Sequence, residues 1–324
     1  MFIQFLLISL GIVLVSYGAR LLVEGSSSLA KRFNISDLVV GLTVVSFGTS
    51  MPELVVSVVA AKNGTAELAL GNVIGSNIMN ICLILGLAAL LQPLRIQSNT
   101  VWKEIPLSLL GVVVAFFLAS DIFLDNAAVA YISRSDGLVL LCFFLIYLYY
   151  MFAVARENRD FENSAPDHKH KPWWLAGGLA VLGLVGLVLG GQLIVDAAVA
   201  VARAFQVSEA VIGLTLVSIG TSIPELATSV VAALRGKADM AVGNVVGSNI
   251  FNIFFILGVS ATVAPLPVGN ISLIDFGMCI LATLFMFIGS FIATPKTFYR
   301  KEGGFLLAFY AAYLTWLVTK NVGS

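Results

Sequence analysis

Long stretches of apolar residues, separated by mostly short polar connections, follow one another along nearly the whole chain. A helix needs roughly 20 mostly apolar residues to cross the hydrocarbon core of a bilayer, and ten stretches meet that requirement. Their approximate limits are 2–20, 38–61, 66–92, 105–124, 136–154, 173–192, 210–234, 238–263, 273–293 and 304–320. The pattern predicts an all-α membrane protein with ten transmembrane helices.

The composition excludes several other classes of protein. Of the 324 residues, 59% are hydrophobic and only 11% are charged, which is more apolar surface than a soluble domain can bury. The formal net charge is zero, so no basic surface is available to hold nucleic acid. No nucleotide-binding motif occurs either. We expect the lipid bilayer as a partner, and neither nucleic acid nor nucleotide.

The chain contains an internal duplication with an offset of 172 residues. Between 41–81 and 213–253, 28 of the 41 aligned positions are identical. The one long polar connection, around 156–172, divides the ten stretches into five and five. We predict a first five-span repeat at 1–155, a connecting loop at 156–172 and a second five-span repeat at 173–324.

An odd number of spans in each repeat means that the second repeat enters the membrane from the opposite side, as in the inverted repeats of many secondary transporters. Of the 18 Lys and Arg residues, 14 fall near the connections that follow the odd-numbered spans. By the positive-inside rule, both termini are expected outside and the 156–172 loop in the cytoplasm. The compact chain favours a prokaryotic plasma (inner) membrane, and nothing in it requires an oligomer.

Two short strings recur most faithfully, GTSMPE and GNVIGSNIMN in the first repeat and GTSIPE and GNVVGSNIFN in the second. Helical spacings of three and four place four polar residues of each first string on one face: Ser46, Thr49, Ser50 and Glu53, and Ser218, Thr221, Ser222 and Glu225. Steps of four align three more in each second string: Asn72, Ser76 and Asn80, and Asn244, Ser248 and Asn252. We predict that these oxygen-rich faces meet at the centre of the membrane.

A proline precedes each of the two repeated glutamates. Pro52 and Pro224 lack the backbone N–H that would bond the carbonyl four residues earlier, which belongs to Gly48 or Gly220. The sequence therefore predicts helices broken at membrane depth. Such a break offers carbonyl oxygens to a cation.

Glu53 and Glu225 are the strongest functional signal. A charged glutamate near the bilayer midplane costs on the order of 3 kcal/mol, so it tends to mark a functional site. The segments that carry the two glutamates have no matching intramembrane Lys or Arg, and a bound cation is the simplest counter-charge. Carboxylate, hydroxyl, amide and carbonyl oxygens suit Ca²⁺ and Na⁺. No catalytic constellation occurs, so we expect neither an enzyme nor a cofactor.

At these strings the chain resembles the calcium/cation antiporter superfamily, in particular its sodium/calcium exchanger branch. The resemblance implies a ten-span fold that exchanges Na⁺ for Ca²⁺ by alternating access. It also implies twelve ion ligands: Ser46, Thr49, Ser50, Glu53, Ser76, Asn80, Ser218, Thr221, Ser222, Glu225, Ser248 and Asn252.

Two other functions stay open at this point. A proton/calcium antiporter, or one for another cation and divalent ion, would use the same carboxylates, although proton/calcium exchangers carry a different string near them. Some relatives, including the potassium-dependent exchangers, have aspartate where this chain has Asn252, so the amide argues against K⁺ cotransport. An ion channel could also use carboxylates and carbonyls, but inverted duplication favours alternating access.

Overall fold

Helices built from the apolar stretches make up almost all of the computed structural model, which describes residues 2–124, 126–161, 172–205, 218–269, 273–292 and 296–322. In chain order the helices are α1 Phe2–Phe33, α2 Asp37–Thr49, α3 Met51–Lys62, α4 from Ala66 to Leu91, α5 from Thr100 to Leu118, α6 Asp121–Leu124, α7 Arg134–Phe161, α8 Trp173–Ala204, α9 Ser218–Thr221, α10 Ile223–Leu234, α11 Ala238–Val263, α12 Leu273–Ile292 and α13 Arg300–Val322.

Several of these helices can cross a membrane. Within the described residues, seven are long and apolar enough, or eight if α2 and α3, which are bent by 46° at their junction, count as one span. The predicted seventh span, 210–234, ends in α10, and its residues 210–217 lie outside the described part of the chain. The predicted tenth span coincides with α13. The molecule is a helical membrane protein, and the count of ten stays a prediction.

Helices α1 and α8 are longer than the apolar stretches from which they were predicted. Their stretches end at residues 20 and 192, whereas the helices continue to Phe33 and Ala204. The reason is that helix formation needs no continuous apolarity: the α8 extension is rich in Ala, and the α1 extension contains Leu, Glu, Ala, Lys and Arg, all of which favour helices. Helix α7 likewise continues to Phe161, into the predicted 156–172 loop, whose residues 162–171 lie outside the described part.

Glycines bring α1 and α8 into direct backbone contact. Gly11, Gly18 and Gly25 recur every seven residues on α1, and a Cβ added at Gly18 would lie 2.8 Å from the backbone oxygen of Gly183 on α8. Small residues let membrane helices approach this closely. The two helices run antiparallel, because Gly11 meets Gly190 while Gly25 meets Ala176 and Ala180.

Helices α4 and α11 form the interior of the molecule. Within the apolar membrane-spanning segments of α4 and α11, 78% and 89% of the residues are buried, compared with 33% in α1 and 28% in α8. Each contains a π-helical segment, Asn80–Leu85 in α4 and Phe251–Leu257 in α11. A π segment widens the helix locally and is frequent at functional sites. Both segments lie at the end of the second repeated string.

Four two-residue strands lie between helices in the described part of the chain, and the all-α prediction did not include them. They are β1 Leu94–Arg95, β2 Tyr131–Ile132, β3 Leu266–Pro267 and β4 Thr297–Phe298. Strand β1 pairs antiparallel with β4, and β2 pairs antiparallel with β3. Since β1 and β3 are 172 residues apart, the two pairs occupy corresponding places, and each joins the two halves of the chain.

Candidate cation site

A break in each half of the chain lies beside a glutamate. Ser50 separates α2 from α3 and Ser222 separates α9 from α10, with backbone angles (φ, ψ) of −84°, 7° and −89°, 6°. The predicted break is present in both halves, and it falls two residues before each proline. Pro52 and Pro224 stand in the first turn of α3 and α10, where a helix needs no N–H donor. The prolines start new helices, and the serines occupy the breaks.

The break serines and the glutamates bond across the two halves. The Ser50 hydroxyl donates to Glu225 Oε1 at 2.9 Å, and the Ser222 hydroxyl donates to Glu53 Oε1 at 3.1 Å. Each hydroxyl also lies close to a serine of the opposite half, with 3.0 Å between the Oγ atoms of Ser50 and Ser248 and 3.3 Å between those of Ser222 and Ser76. Residues far apart in sequence thus form one cluster.

The threonine before each break also forms a hydrogen bond with a residue of the opposite half. Thr49 donates to Asn244 Oδ1 at 3.3 Å, and Thr221 donates to Asn72 Oδ1 at 3.4 Å. Each of these asparagines uses its amide nitrogen within its own half, Asn72 on Ser57 Oγ at 3.0 Å and Asn244 on Ser229 Oγ at 2.9 Å. Asn72 and Asn244 therefore stabilise the site, but their side-chain oxygens already accept hydrogen bonds from the threonines.

Four further asparagines form a second layer of crossed bonds. Asn80 Nδ2 donates to Asn249 Oδ1, and Asn252 Nδ2 donates to Asn77 Oδ1, both at 2.9 Å. Asn77 Nδ2 in turn donates to the Asn249 carbonyl at 3.3 Å, and Asn249 Nδ2 to the Asn77 carbonyl at 3.4 Å. All four side chains are buried.

Asn77 and Asn249 are absent from the predicted site. Both belong to the repeated GSN triplets, which is the signal that could have found them. They are outside the four-residue steps that join the predicted ligands Ser76 to Asn80 and Ser248 to Asn252, although each stands three residues before the asparagine of its own string and so lies beside it on the helix. Their role depends on which residue of the other half they meet, and spacing along one helix does not give that information.

Among the described residues, no hydrogen-bond donor reaches four buried oxygens of this cluster: Glu53 Oε2, Glu225 Oε2, Asn80 Oδ1 and Asn252 Oδ1. The repeat relates the two carboxylate oxygens to each other and the two amide oxygens to each other. A buried acceptor without a partner costs about 1–3 kcal/mol, and a cation removes that cost by binding it. Hard cations such as Ca²⁺ and Na⁺ take these oxygens as ligands, so the donor set fits them.

The cluster has two glutamates, and the part of the chain that the structure describes places no positive side chain beside them. Glu53 and Glu225 are each 1% exposed. Among the described residues, neither forms an ion pair; Lys237 pairs with Asp37 and Arg235 with Glu24, away from the cluster. The described residues also contain no group of three His, Cys, Asp or Glu. A cation here would be held by two carboxylates and neutral oxygens.

Two of the twelve predicted ligands have no side-chain bond to the cluster that the described part of the structure shows. Ser46 is buried one turn before Thr49, but its hydroxyl donates to the Thr43 carbonyl at 3.2 Å. Ser218 begins α9, and its side chain lies outside the described part of the structure. The structure brings the other ten together: Thr49, Ser50, Glu53, Ser76, Asn80, Thr221, Ser222, Glu225, Ser248 and Asn252.

Broken helices and an oxygen-lined cluster between two related halves define a class of membrane transport protein. Comparison with known proteins agrees. The family model for sodium/calcium exchanger protein matches residues 3–153 and 175–319. Inner membrane protein YrbG of Escherichia coli (strain K12) is 40% identical over 266 residues, which are 80% of this chain and 79% of that protein. The sodium/calcium exchanger MaX1 of Methanosarcina acetivorans is 32% identical over an alignment of 342 positions, gaps included, that covers 96% of this chain and 97% of that protein.

Comparison with solved structures shows that the fold is shared as well. The sodium-calcium exchanger NCX_Mj, from a crystal soaked with Na⁺ and Sr²⁺, matches with a TM-score of 0.82 and 34% sequence identity over 97% of this chain and 98% of that one. The chain belongs to the sodium/calcium exchanger family, a family of membrane antiporters. The resemblance seen in the repeated strings is confirmed.

Proposed function

We propose that this protein exchanges Na⁺ for Ca²⁺ across a membrane by alternating access, with the ions bound between Glu53 and Glu225. The observation that carries the proposal is the set of four buried oxygens for which the described residues supply no donor, two from these glutamates and two from Asn80 and Asn252. The side chains that carry these oxygens are hydrogen-bonded to residues of the opposite half of the chain. The relative named sodium/calcium exchanger and the match to NCX_Mj support the choice of ions.

The charge of the site supports exchange. Two ionised carboxylates carry two negative charges, which one Ca²⁺ or two H⁺ would balance, whereas three Na⁺ would leave an excess of one positive charge. Both kinds of ion compete for the same oxygens, so one must leave before the other binds. Competition of this kind couples the two ion flows, because the empty site retains the uncompensated cost of two buried carboxylates.

The remaining ligands follow from their place in the cluster. Ser50, Ser222, Ser76 and Ser248 can present hydroxyl oxygens beside the glutamates, since their Oγ atoms already lie within hydrogen-bonding distance of one another in pairs. Thr49 and Thr221 flank the breaks, where backbone carbonyls add further ligands. We include Ser46 and Ser218 as ligands on the family resemblance alone.

The protein would sit in a prokaryotic inner membrane with both termini outside and the 156–172 loop in the cytoplasm. The charge distribution supports this orientation, because most Lys and Arg residues follow odd-numbered spans. The two units 1–155 and 173–324 would then have opposite orientations in the bilayer. Ion gradients alone would drive transport, and no oligomer is needed.

The first experiment is ⁴⁵Ca²⁺ uptake into proteoliposomes loaded with Na⁺, with K⁺-loaded and pH-jumped vesicles in parallel. Uptake should require an outward Na⁺ gradient. Glu53→Gln and Glu225→Gln should each reduce uptake at least about a hundredfold, because each removes one of the two charges that balance Ca²⁺. The matched control is Glu302→Gln at the start of α13, where Gln retains the oxygen that accepts from the Tyr299 N–H.

Each alternative function has its own outcome in this assay. Uptake driven by a pH jump and indifferent to Na⁺ would replace the proposal with proton/calcium antiport at the same site. Single-channel currents in a planar bilayer would replace it with a channel. Normal Ca²⁺ exchange by a Glu53→Gln, Glu225→Gln double variant would show that the glutamates are not ion ligands.

A further inference from the structure

We propose that Asn77 and Asn249 are positioning residues that decide which end of the Asn252 and Asn80 side chains faces the transported cation. Each acts on the asparagine of the opposite half. This inference rests on the proposed function, because it assigns an orientation to two of the ligands named there. It goes beyond that function by adding two residues that touch no ion.

The chemistry of the amide group makes orientation decisive. One end of an asparagine side chain is an oxygen that can bind a cation, and the other is an NH₂ group that can only donate hydrogen bonds. The last side-chain torsion has two broad minima of similar energy. An asparagine that faces a cation therefore needs a partner that fixes the oxygen toward the ion.

Asn77 and Asn249 supply that partner. The Asn252 NH₂ group donates to Asn77 Oδ1 and the Asn80 NH₂ group to Asn249 Oδ1. The two remaining oxygens, Asn252 Oδ1 and Asn80 Oδ1, are buried, and no donor in the described part of the structure bonds to them. Because each nitrogen is engaged by its partner, each oxygen is turned away from that partner and is available as a ligand.

The positioning residues are themselves fixed. Asn77 and Asn249 are 0% and 1% exposed, and the NH₂ group of each donates a hydrogen bond to the backbone carbonyl of the other. With its nitrogen used in this way, each can present only its oxygen to the ligand asparagine. The reciprocal pair thus sets the orientation of all four amides at once.

The simpler explanation is that these asparagines only hold α4 and α11 together, since amide side chains commonly bond between membrane helices. The two explanations differ in one respect. A residue that only joins helices would matter whatever occupies position 252. A positioning residue would matter only while position 252 has two chemically different ends.

The test measures the Ca²⁺ concentration for half-maximal Na⁺-dependent uptake, with equilibrium ⁴⁵Ca²⁺ binding to the purified protein as a second readout. Asn77→Ala should raise both values about tenfold or more, as is typical when a residue that orients a metal ligand is removed. The exposed Asn63→Ala variant is the matched control and should leave both values unchanged.

The decisive step places Asn77→Ala in two aspartate backgrounds. Asp has an oxygen at both ends of its side chain, so Asn252→Asp should need no orientation. In that background Asn77→Ala should cause no loss of affinity relative to Asn252→Asp alone. In the Asn80→Asp background the full loss should persist, because Asn80 is oriented by Asn249 and not by Asn77.

The outcomes separate this inference from the function on which it rests. If the unmodified protein neither binds nor exchanges Ca²⁺, the proposed function fails. If it does both and Asn77→Ala has no effect, the positioning role fails alone. Equal losses in the Asn252→Asp and Asn80→Asp backgrounds would also overturn it and leave Asn77 as a helix-joining residue. A loss that is confined to the Asn80→Asp background supports the crossed arrangement.

Discussion

The serines at the two helix breaks test the site at the scale of single residues. Ser222 donates to Glu53 Oε1 and Ser50 donates to Glu225 Oε1. Replacing either with Ala removes a hydroxyl oxygen that we propose as an ion ligand, a loss worth about 1–3 kcal/mol of binding free energy. Ser222→Ala and Ser50→Ala should therefore raise the half-saturating Ca²⁺ concentration by similar factors, roughly tenfold each.

The measurement is the Ca²⁺ dependence of exchange in Na⁺-loaded proteoliposomes. Ser9→Ala is the control, because Ser9 is exposed and its hydroxyl donates to a carbonyl of its own helix, Phe5 O at 2.8 Å. A large effect of one break serine with none of the other would contradict a site that uses the two halves equivalently.

At this scale the sequence predicts the identity of most clustered residues but not their partners. Glu53 and Glu225 stand out because an unpaired carboxylate in an apolar stretch has few structural uses. Their partners come from the opposite half, about 170 residues away. Sequence spacing orders residues only along one helix, so the crossing of Ser50 to Glu225 and the roles of Asn77 and Asn249 required the structure.

At the scale of helices, the glycine contact between α1 and α8 makes a stability prediction. A Cβ added at Gly183 would lie 2.4 Å from the Leu22 nitrogen and 2.6 Å from the Gly18 oxygen. Both neighbours are backbone atoms, so the helices would have to separate, which typically costs about 1–3 kcal/mol. Gly183→Ala should lower the thermal unfolding midpoint in detergent by several degrees.

The same helix provides a control for that substitution. A Cβ added at Gly177 would meet nothing within 4 Å. Because Ala favours a helix more than Gly does, Gly177→Ala should leave the midpoint unchanged or raise it slightly. Equal shifts in the two variants would mean that α1 and α8 do not depend on close packing. The midpoint can be followed by size-exclusion chromatography after heating.

Helix boundaries were less predictable than helix positions. A proline inside an apolar stretch correctly indicated a break, but Pro52 is equally suited to the first turn of a new helix, so the break falls at Ser50. The π segments in α4 and α11 have no signature in hydropathy. They depend on how the helices pack at the centre, where both are mostly buried.

At the scale of the whole molecule, the two halves correspond beyond the repeated strings. The strand pairs β1–β4 and β2–β3 each join one half to the other. The turns after α3 and α10 also match, because Gly64 and Gly236 share positive φ angles of 77° and 72°. Corresponding turns on opposite sides of the membrane are the specific consequence of an inverted repeat, and that consequence can be measured.

Asn63 and Arg235 precede these glycines and are both exposed at the ends of α3 and α10. In a background with the exposed Cys142 replaced by Ser, Asn63→Cys should react with a membrane-impermeant maleimide only from outside and Arg235→Cys only from the cytoplasm. Right-side-out and inside-out vesicles distinguish the two. Labelling of both from one side would mean that the repeats are parallel. Labelling from opposite sides but in reverse would keep the inversion and move both termini into the cytoplasm, against the positive-inside rule.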